Sequence, residues 1–226
     1  YIYGDSTCAQ HAFYDVIQSG IAIINVNNNC SSGSTALFLA RQAVLSGQVD
    51  CALAFGFEEM QPGALGSHWT DRESPFERLD PVLQQFNAPQ GPIALRAFGA
   101  AGRHYMDQYH VGADIFAKVA EKSRRHALQN PYSMFSTPLT RKHGITSKVN
   151  IIAQAMATDT ELSWQDPMYA VGKGMTQRAA EQVYHQAGIG PADIDVIELH
   201  DCFTPNEVIT YEALGLCAEG GAAELI

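Results

Sequence analysis

Two short stretches carry residue types that can make and break covalent bonds. In "NVNNNCSSGSTALFLARQ", residues 25–42, Cys30 stands between three asparagines and a run of Ser and Gly. In "LHDCF", residues 199–203, His200, Asp201 and Cys202 follow one another. A thiol at the start of a helix meets unpaired backbone N–H groups and the positive end of the helix dipole. Both favour a thiolate, and the same N–H groups can receive an oxyanion. Cys30 in that position would be a nucleophile with an acceptor site beside it. A free cysteine can equally pack as a small inert hydrophobe. The flanking "NNN" and "SSGS" argue for chemistry, because such residues are costly to desolvate and poor core material. In the second stretch, His200 can donate to an oxyanion or accept a proton. Asp201 is either an anion at a helix end or a structural acceptor.

Elements of regular structure must position these groups. "IAIINV" (21–26) is a β-branched run suited to a strand buried on both faces. From Ser34 to Leu45 the period changes, with Ala36, Leu39, Ala40, Ala43 and Val44 on one helical stripe. "VDCALAFGF" (49–57) reads as a second buried strand, so strand, helix and strand make a βαβ unit with a right-handed crossover. A related arrangement returns later in the chain. "MTQRAAEQVYHQAG" (175–188) reads as a helix and "DIDVIEL" (193–199) as a strand. Thr204 as N-cap, Pro205 at N1 and Glu207 as the capping-box acid predict a helix running to about Leu214. Cys30 and Cys202 thus each follow a predicted buried strand and precede a helix. For Cys202 that is the C-terminal end of a strand, where α/β sheets place ligands.

Residues 58–148 differ. They begin rich in Pro, Gly and charge, an excursion from the sheet, and continue in two helices, about 93–108 and 113–128. The second carries Phe116, Val119 and Ala120 inward. "NPYSMFSTPLTRKHG" is turn-like until "KVNIIAQAMA" (148–157) resumes a strand pattern.

With 226 residues, 46% of them apolar, the chain can bury a real core. Its formal charge of -10 and the lack of a Lys/Arg block make nucleic acid an unsuitable partner. Five cysteines are an odd number, widely spaced, without a CxxC pair or zinc-type spacing, which fits a reducing compartment and no structural metal. Cys51 inside a strand reads as packing, Cys217 as structural, and Cys8 as a loop residue without a role. No stretch reaches transmembrane length, and "YIYGDSTCAQ" lacks the pattern of a signal peptide, so a soluble intracellular protein is expected.

Four stretches, "NVNNNCSSGSTALFLARQ", "ALAFGFEEMQPGALG", "NPYS" and "DVIELHDCFTPNEVITYEALGLC", resemble the thiolase domain of the sterol-carrier-protein-type thiolases, also found in bacterial lipid-transfer proteins. The resemblance extends over most of the chain. It implies an α/β thiolase fold, two βαβαβ halves in a five-layered arrangement with an inserted loop domain. Residues 1–57 would then be part of the N-terminal half, 58–148 the loop domain and return to the core, and 149–226 part of the C-terminal half.

By the same resemblance Cys30 attacks the C3 carbonyl of a 3-oxoacyl-CoA, Cys202 supplies the acid/base group, and His200 contributes to the oxyanion hole for the thioester enolate. No metal or redox cofactor is implied, and coenzyme A enters as a substrate. A homodimer and a sterol-carrier domain are the expected partners besides acyl-CoA and CoA. The terminal "AELI" carries no peroxisomal tripeptide, which makes the cytoplasm the default compartment and leaves a peroxisomal address open. Trp69, Arg72 and Phe76 could line an acyl or phosphate site, although surface packing is the plainer reading.

The family also carries a strand and helix before the segment matching "YGDS" and a Gly-His-Pro loop and Gly-rich strand after the one matching "ELI". It has a longer connection between "NPYSMFSTPLT" and "RKHGITSKV". None of these stretches is in this sequence, so either the native polypeptide is longer than these 226 residues, the favoured reading because lost strands would leave buried faces uncovered, or this is a truncated or degenerate paralogue. Two alternatives stand beside the thiolase. One is a catalytically silent thiolase-like protein that binds lipid or acyl-CoA or partners an aldolase. The other is a cysteine hydrolase using Cys30, His200 and Asp201, which explains fewer of the residues.

Overall fold

The computed structural model describes residues 7–58, 62, 71–133 and 150–226. Trp69, most of the "NPYSMFSTPLTRKHG" turn and the first two residues of the strand predicted at 148–157 lie outside the described residues. The chain divides into two compact units, Tyr1–Ser74 and Pro75–Ile226.

The first unit holds helices α1 (Cys8–Tyr14) and α2 (Ser32–Leu45). Cys8 therefore opens a helix instead of sitting in a loop. Helix α1 is tied to the segment leading to Cys30. Asn25 Oδ1 accepts from the Ala9 N–H at 2.9 Å, and Asn25 Nδ2 donates to Gln10 Oε1 at 2.6 Å. Phe13 meets Phe55 edge to face at 5.0 Å between ring centroids. On α2 the half-buried side runs through Ala36, Ala40 and Ala43, whereas Leu39 and Val44, expected on the same stripe, are exposed.

The runs 21–26 and 49–57 carry no strand assignment, nor does any other segment among the described residues. Ile24 and Leu53 are each 77% exposed, and Cys51, expected to pack, is exposed as well. A β-branched run becomes a strand only through hydrogen bonds to a neighbour, and it is buried only when layers cover both faces.

The second unit is a helical assembly: α3 (Leu79–Gln85), α4 (Ile93–Tyr109), α5 (Asp114–Ala127), α6 (Pro167–Ala170), α7 (Lys173–Ala187) and α8 (Thr204–Ala213). Its core gathers Ala101 and Tyr105 of α4, Ile115 and Val119 of α5, Met168 of α6, and Val208 and Ile209 of α8. Ile115 takes the buried position beside Val119 that the periodicity gives to Ala120, which is exposed. Leu79 and Leu83 of α3 pack with Ala97 and Ala100 of α4 in a second cluster. Helix α7 stops at Gly188, whose φ of 69° is left-handed and suits a residue without Cβ.

Glu212, 6% exposed, accepts at Oε1 from the Tyr105 hydroxyl and from the Gly220 N–H. Burial raises its carboxyl above the ordinary value, more than these donors lower it. As pH rises from the ordinary carboxylate value towards the raised one, the unfolded chain has lost this proton while the folded chain keeps it, so stability falls across that window. Glu219, lowered by its hydrogen bond from Lys173, acts in the opposite sense below the ordinary value. Glu212→Gln should therefore flatten the decline of the melting temperature from about pH 5 upward. Thermal melts at several pH values measure it, and an unchanged slope would contradict the assignment.

Candidate active site

Cys30 lies one residue before Ser31, the N-cap of α2. The chain enters that helix through a knot of short polar side chains. Asn29 has a left-handed φ of 47°, a conformation that Asn tolerates better than most residues. Ser31 N–H and Ser31 Oγ both donate to the Asn28 carbonyl, at 3.0 and 2.9 Å. Asn28 N–H donates to Ser32 Oγ at 2.8 Å, and Asn28 Nδ2 to Thr35 Oγ1 at 3.1 Å. The "NNN" and "SSGS" flanks thus satisfy one another in a tight bend, and Cys30 is exposed on it. The sequence expectation of a thiol at a helix mouth holds in its backbone geometry.

His200, Asp201 and Cys202 lie in the second unit, exposed, immediately before α8. Three contacts fix the chain there. Asn206 Nδ2, in the first turn of α8, donates to the His200 carbonyl at 2.5 Å. Phe203 stacks on Phe98 of α4 at 4.8 Å between centroids, with 24° between planes. Ser123 of α5 donates from Oγ to Asp201 Oδ2 at 3.1 Å.

The start of α8 differs from its prediction. Phe203, with extended φ and ψ, is the N-cap and offers no side-chain cap, while Thr204 is already helical. Glu207 does not close a capping box. Its carboxylate is 2% exposed and turned into the core, where Lys122 of α5 and the Tyr211 hydroxyl donate to Oε1. Lys122 also donates to the Tyr211 hydroxyl. A buried carboxylate needs an opposite charge more than a helix end needs its cap, so the long-range partner wins. Burial lowers the Lys122 ammonium from its ordinary value, and Asp201 opposes that shift.

Helix α4 presses against the same segment. A Cβ on Gly102 would stand 2.7 Å from Pro205 Cγ, so glycine is what lets the first turn of α8 approach. Because the proline ring cannot rotate away, Gly102→Ala should destabilise the fold by about 1–3 kcal/mol, against the small gain that alanine gives in a helix. Denaturant unfolding measures it, and a neutral or stabilising result would show that α4 and α8 do not hold this spacing.

Sequence reasoning missed Ser123, Lys122, Phe98 and Gly102. A signal for one of them was present. Lys122 continues the buried Ile115 and Val119 stripe at helical spacing, and a lysine on such a stripe demands a buried counter-ion. Of the side chains proposed for a substrate wall, Arg72 is paired with its neighbour Asp71 at 2.8 Å and Phe76 is 37% exposed.

Comparison with known proteins gives the family of the chain. A family model described as "Thiolase, N-terminal domain" matches residues 4–176, and one described as "Thiolase C-terminal domain-like" matches residues 138–226. The chain belongs to the thiolase family. It is 40% identical to "Sterol carrier protein 2" of Rattus norvegicus, with all of this chain and 49% of that protein covered. It is 31% identical to "Non-specific lipid-transfer protein-like 2" of Caenorhabditis elegans, with 100% of this chain and 66% of that protein covered. The chain thus spans about half the length of the rat relative. The rat alignment runs over 268 positions, more than the 226 residues here, so that relative carries positions inside the aligned region that this chain lacks. Among solved structures, one titled "Ltp2-ChsH2(DUF35) aldolase" matches with a TM-score of 0.67 and 19% identity, over 99% of this chain and 67% of that chain. The likeness gives this chain a thiolase fold. Among the described residues no helix is long and apolar enough to cross a membrane.

Proposed function

We propose that this chain is part of an acyl-CoA thiolase, an acetyl-CoA acyltransferase of fatty acid or sterol side-chain metabolism, with Cys30 as nucleophile, His200 as oxyanion donor and Cys202 as acid/base. The supporting observation is that a chain of the thiolase family keeps an exposed cysteine at the mouth of α2 and an exposed His–Asp–Cys run at the mouth of α8. Relatives named "Acetyl-CoA acetyltransferase", of Methanothermobacter thermautotrophicus, and "Benzoylsuccinyl-CoA thiolase subunit BbsB", of Thauera aromatica, are consistent with it at 26% and 29% identity.

In this reading the Cys30 sulfur adds to the C3 carbonyl of a 3-oxoacyl-CoA, and the charge moves to oxygen. Collapse breaks the C2–C3 bond, leaving the acyl group on Cys30 and the electron pair on the acetyl-CoA enolate. His200 donates to that enolate oxygen and Cys202 delivers the proton to carbon. A second CoA thiol then takes the acyl group and frees Cys30. Acetyl-CoA and the shortened acyl-CoA leave, and the reverse sequence is a Claisen condensation. Coenzyme A is a substrate, and no metal or redox cofactor enters. The five-layered arrangement with an inserted loop domain, a homodimer and an attached sterol-carrier domain belong to the same proposal. So does a cytoplasmic address, with a peroxisomal one open.

A second reading, a silent lipid-binding protein or a partner subunit of an aldolase, is favoured by the relatives whose names contain "lipid-transfer" and "subunit". The two readings part on CoA-dependent loss of acetoacetyl-CoA by the full native protein. A thiolase forms two acetyl-CoA per turnover and stops without CoA. A hydrolase would continue without CoA, and a silent protein would show no turnover in either condition.

A further inference from the structure

Beyond α8, residues 214–226 fold back on the same unit and are held by side chains of three helices. Ala222 is fully buried in the cluster of Tyr105, Val208 and Ile209, and Cys217 and Ile226 pack against that cluster. The Leu214 carbonyl accepts from the Tyr184 hydroxyl of α7 at 2.9 Å. Gly220, with a left-handed φ of 79°, lies so close on the Tyr109 ring that a Cβ there would stand 2.7 Å from Cδ1.

Two neighbouring contacts close this segment, and each depends on a carboxyl group. At one, the Gly220 N–H donates to Glu212 of α8, which also accepts from the Tyr105 hydroxyl of α4. At the other, Glu219 is paired with Lys173, the first residue of α7, at 2.8 Å and accepts from the Tyr109 hydroxyl at 3.4 Å. Lys173 is 3% exposed and stands at the positive end of the α7 dipole. A buried ammonium there needs a counter-ion, and Glu219, carried by the segment itself, supplies it.

The two carboxyls respond to protons in opposite senses. Burial raises Glu212, whereas the hydrogen bond from Lys173 lowers Glu219. Above the ordinary carboxylate value, opening the segment lets Glu212 lose a proton that the closed form keeps. Below that value, opening lets Glu219 take up a proton that its bond to Lys173 excludes. Closure is therefore firmest near the ordinary value and weakens on either side. The other charged or titratable groups facing the pair are Tyr105 and Tyr109 of α4, Lys173 of α7, and Cys217 with Glu224 near it on the segment. The two tyrosines, Lys173 and Cys217 are all raised, from ordinary values that already lie above about pH 8, so they keep their protons between pH 4 and 7.

We propose that residues 214–226 form a pH-sensitive latch, closed on α4 and on the start of α7 through Glu212 and Glu219, that opens as a unit while the helices stay folded. No residue of the latch takes part in the thiolase mechanism above, so it is tested independently of that reading.

The test is hydrogen exchange of the full native protein between pH 4 and 7, read by mass spectrometry and corrected for the pH dependence of intrinsic amide exchange. Peptides from residues 214–226 should exchange at least about tenfold faster than those from α4, because the latch opens without global unfolding. Their protection should fall from pH 5 to pH 7, by up to about tenfold for each unit by which burial raises Glu212. Glu212→Gln, a mimic of the neutral acid, should remove that fall. Equal exchange of the segment and of α4 across the range, or a fall that survives Glu212→Gln, would overturn the latch. Should Glu212→Gln not fold, Glu219→Gln decides, since that side chain is 57% exposed. It should speed exchange of the segment at pH 6 by at least about threefold, and an unchanged rate would overturn the proposal.

Discussion

Replacing Cys30 by alanine should lower the thiolytic kcat by at least about a thousandfold while leaving the fold intact, because in the proposed mechanism it removes the atom that carries the acyl group. General acid/base groups and oxyanion donors speed a step that another nucleophile carries out, but they cannot replace the covalent intermediate. The fold should tolerate the change. Cys30 is exposed, and the hydrogen bonds of the bend run through Asn28, Ser31, Ser32 and Thr35. An exposed substitution of this kind typically moves stability by no more than about 0.5 kcal/mol. Turnover and a thermal melt on the same sample measure the two effects. Retained turnover would remove Cys30 from the mechanism, and loss of turnover together with loss of folding would leave the site assignment without support.

The second large effect belongs to Cys202. In the proposed mechanism, loss of this proton donor leaves the acetyl-CoA enolate without the group that protonates its carbon, and positioned general acids contribute about 10²–10⁴-fold. Cys202→Ala should reduce kcat within that range. It should also slow exchange of the acetyl-CoA methyl protons with deuterated solvent, a half-reaction that needs the acid/base group but no C–C bond cleavage. Loss of one activity with the other unchanged would show that Cys202 is not the shared proton carrier. His200 differs in kind. In the same proposal it is an oxyanion donor, a role worth about 10²–10³-fold in kcat, and His200→Ala should reduce both reactions together.

The sequence was most legible where one helix face meets one core. Helices expected at 93–108 and 113–128 are found at Ile93–Tyr109 and Asp114–Ala127, because their stripes of apolar and small residues have the helical period. Short helices escaped. Helix α3 carries Pro81 in its first turn, a position that suits proline but reads as a break in the linear sequence. Helix α1 follows "GDST", which reads as a loop. The predicted strands are legible as β-branched runs, yet pairing and layering are tertiary facts that no local run contains.

At the candidate site, local patterns marked the candidate residues and missed the contacts that hold them. A cysteine among asparagines, or one beside His and Asp, is visible in ten residues. The partner that fixes Asp201 is 78 positions away, and the one that turns Glu207 from a capping acid into a buried counter-ion is 85 positions away. "TPNE" is a sound capping box by local rules, and it fails because Thr204 is already helical and Lys122 and Tyr211 hold the Glu207 carboxylate.

The most direct measurement is the intact mass of the full native protein before and after brief exposure to acetoacetyl-CoA, with the adduct located by peptide mapping. An acetyl group on Cys30, discharged by added CoA and absent from Cys30→Ala, is the predicted result. No adduct, or an adduct that survives the Cys30→Ala substitution, would contradict the assignment of Cys30 as the acyl-bearing nucleophile.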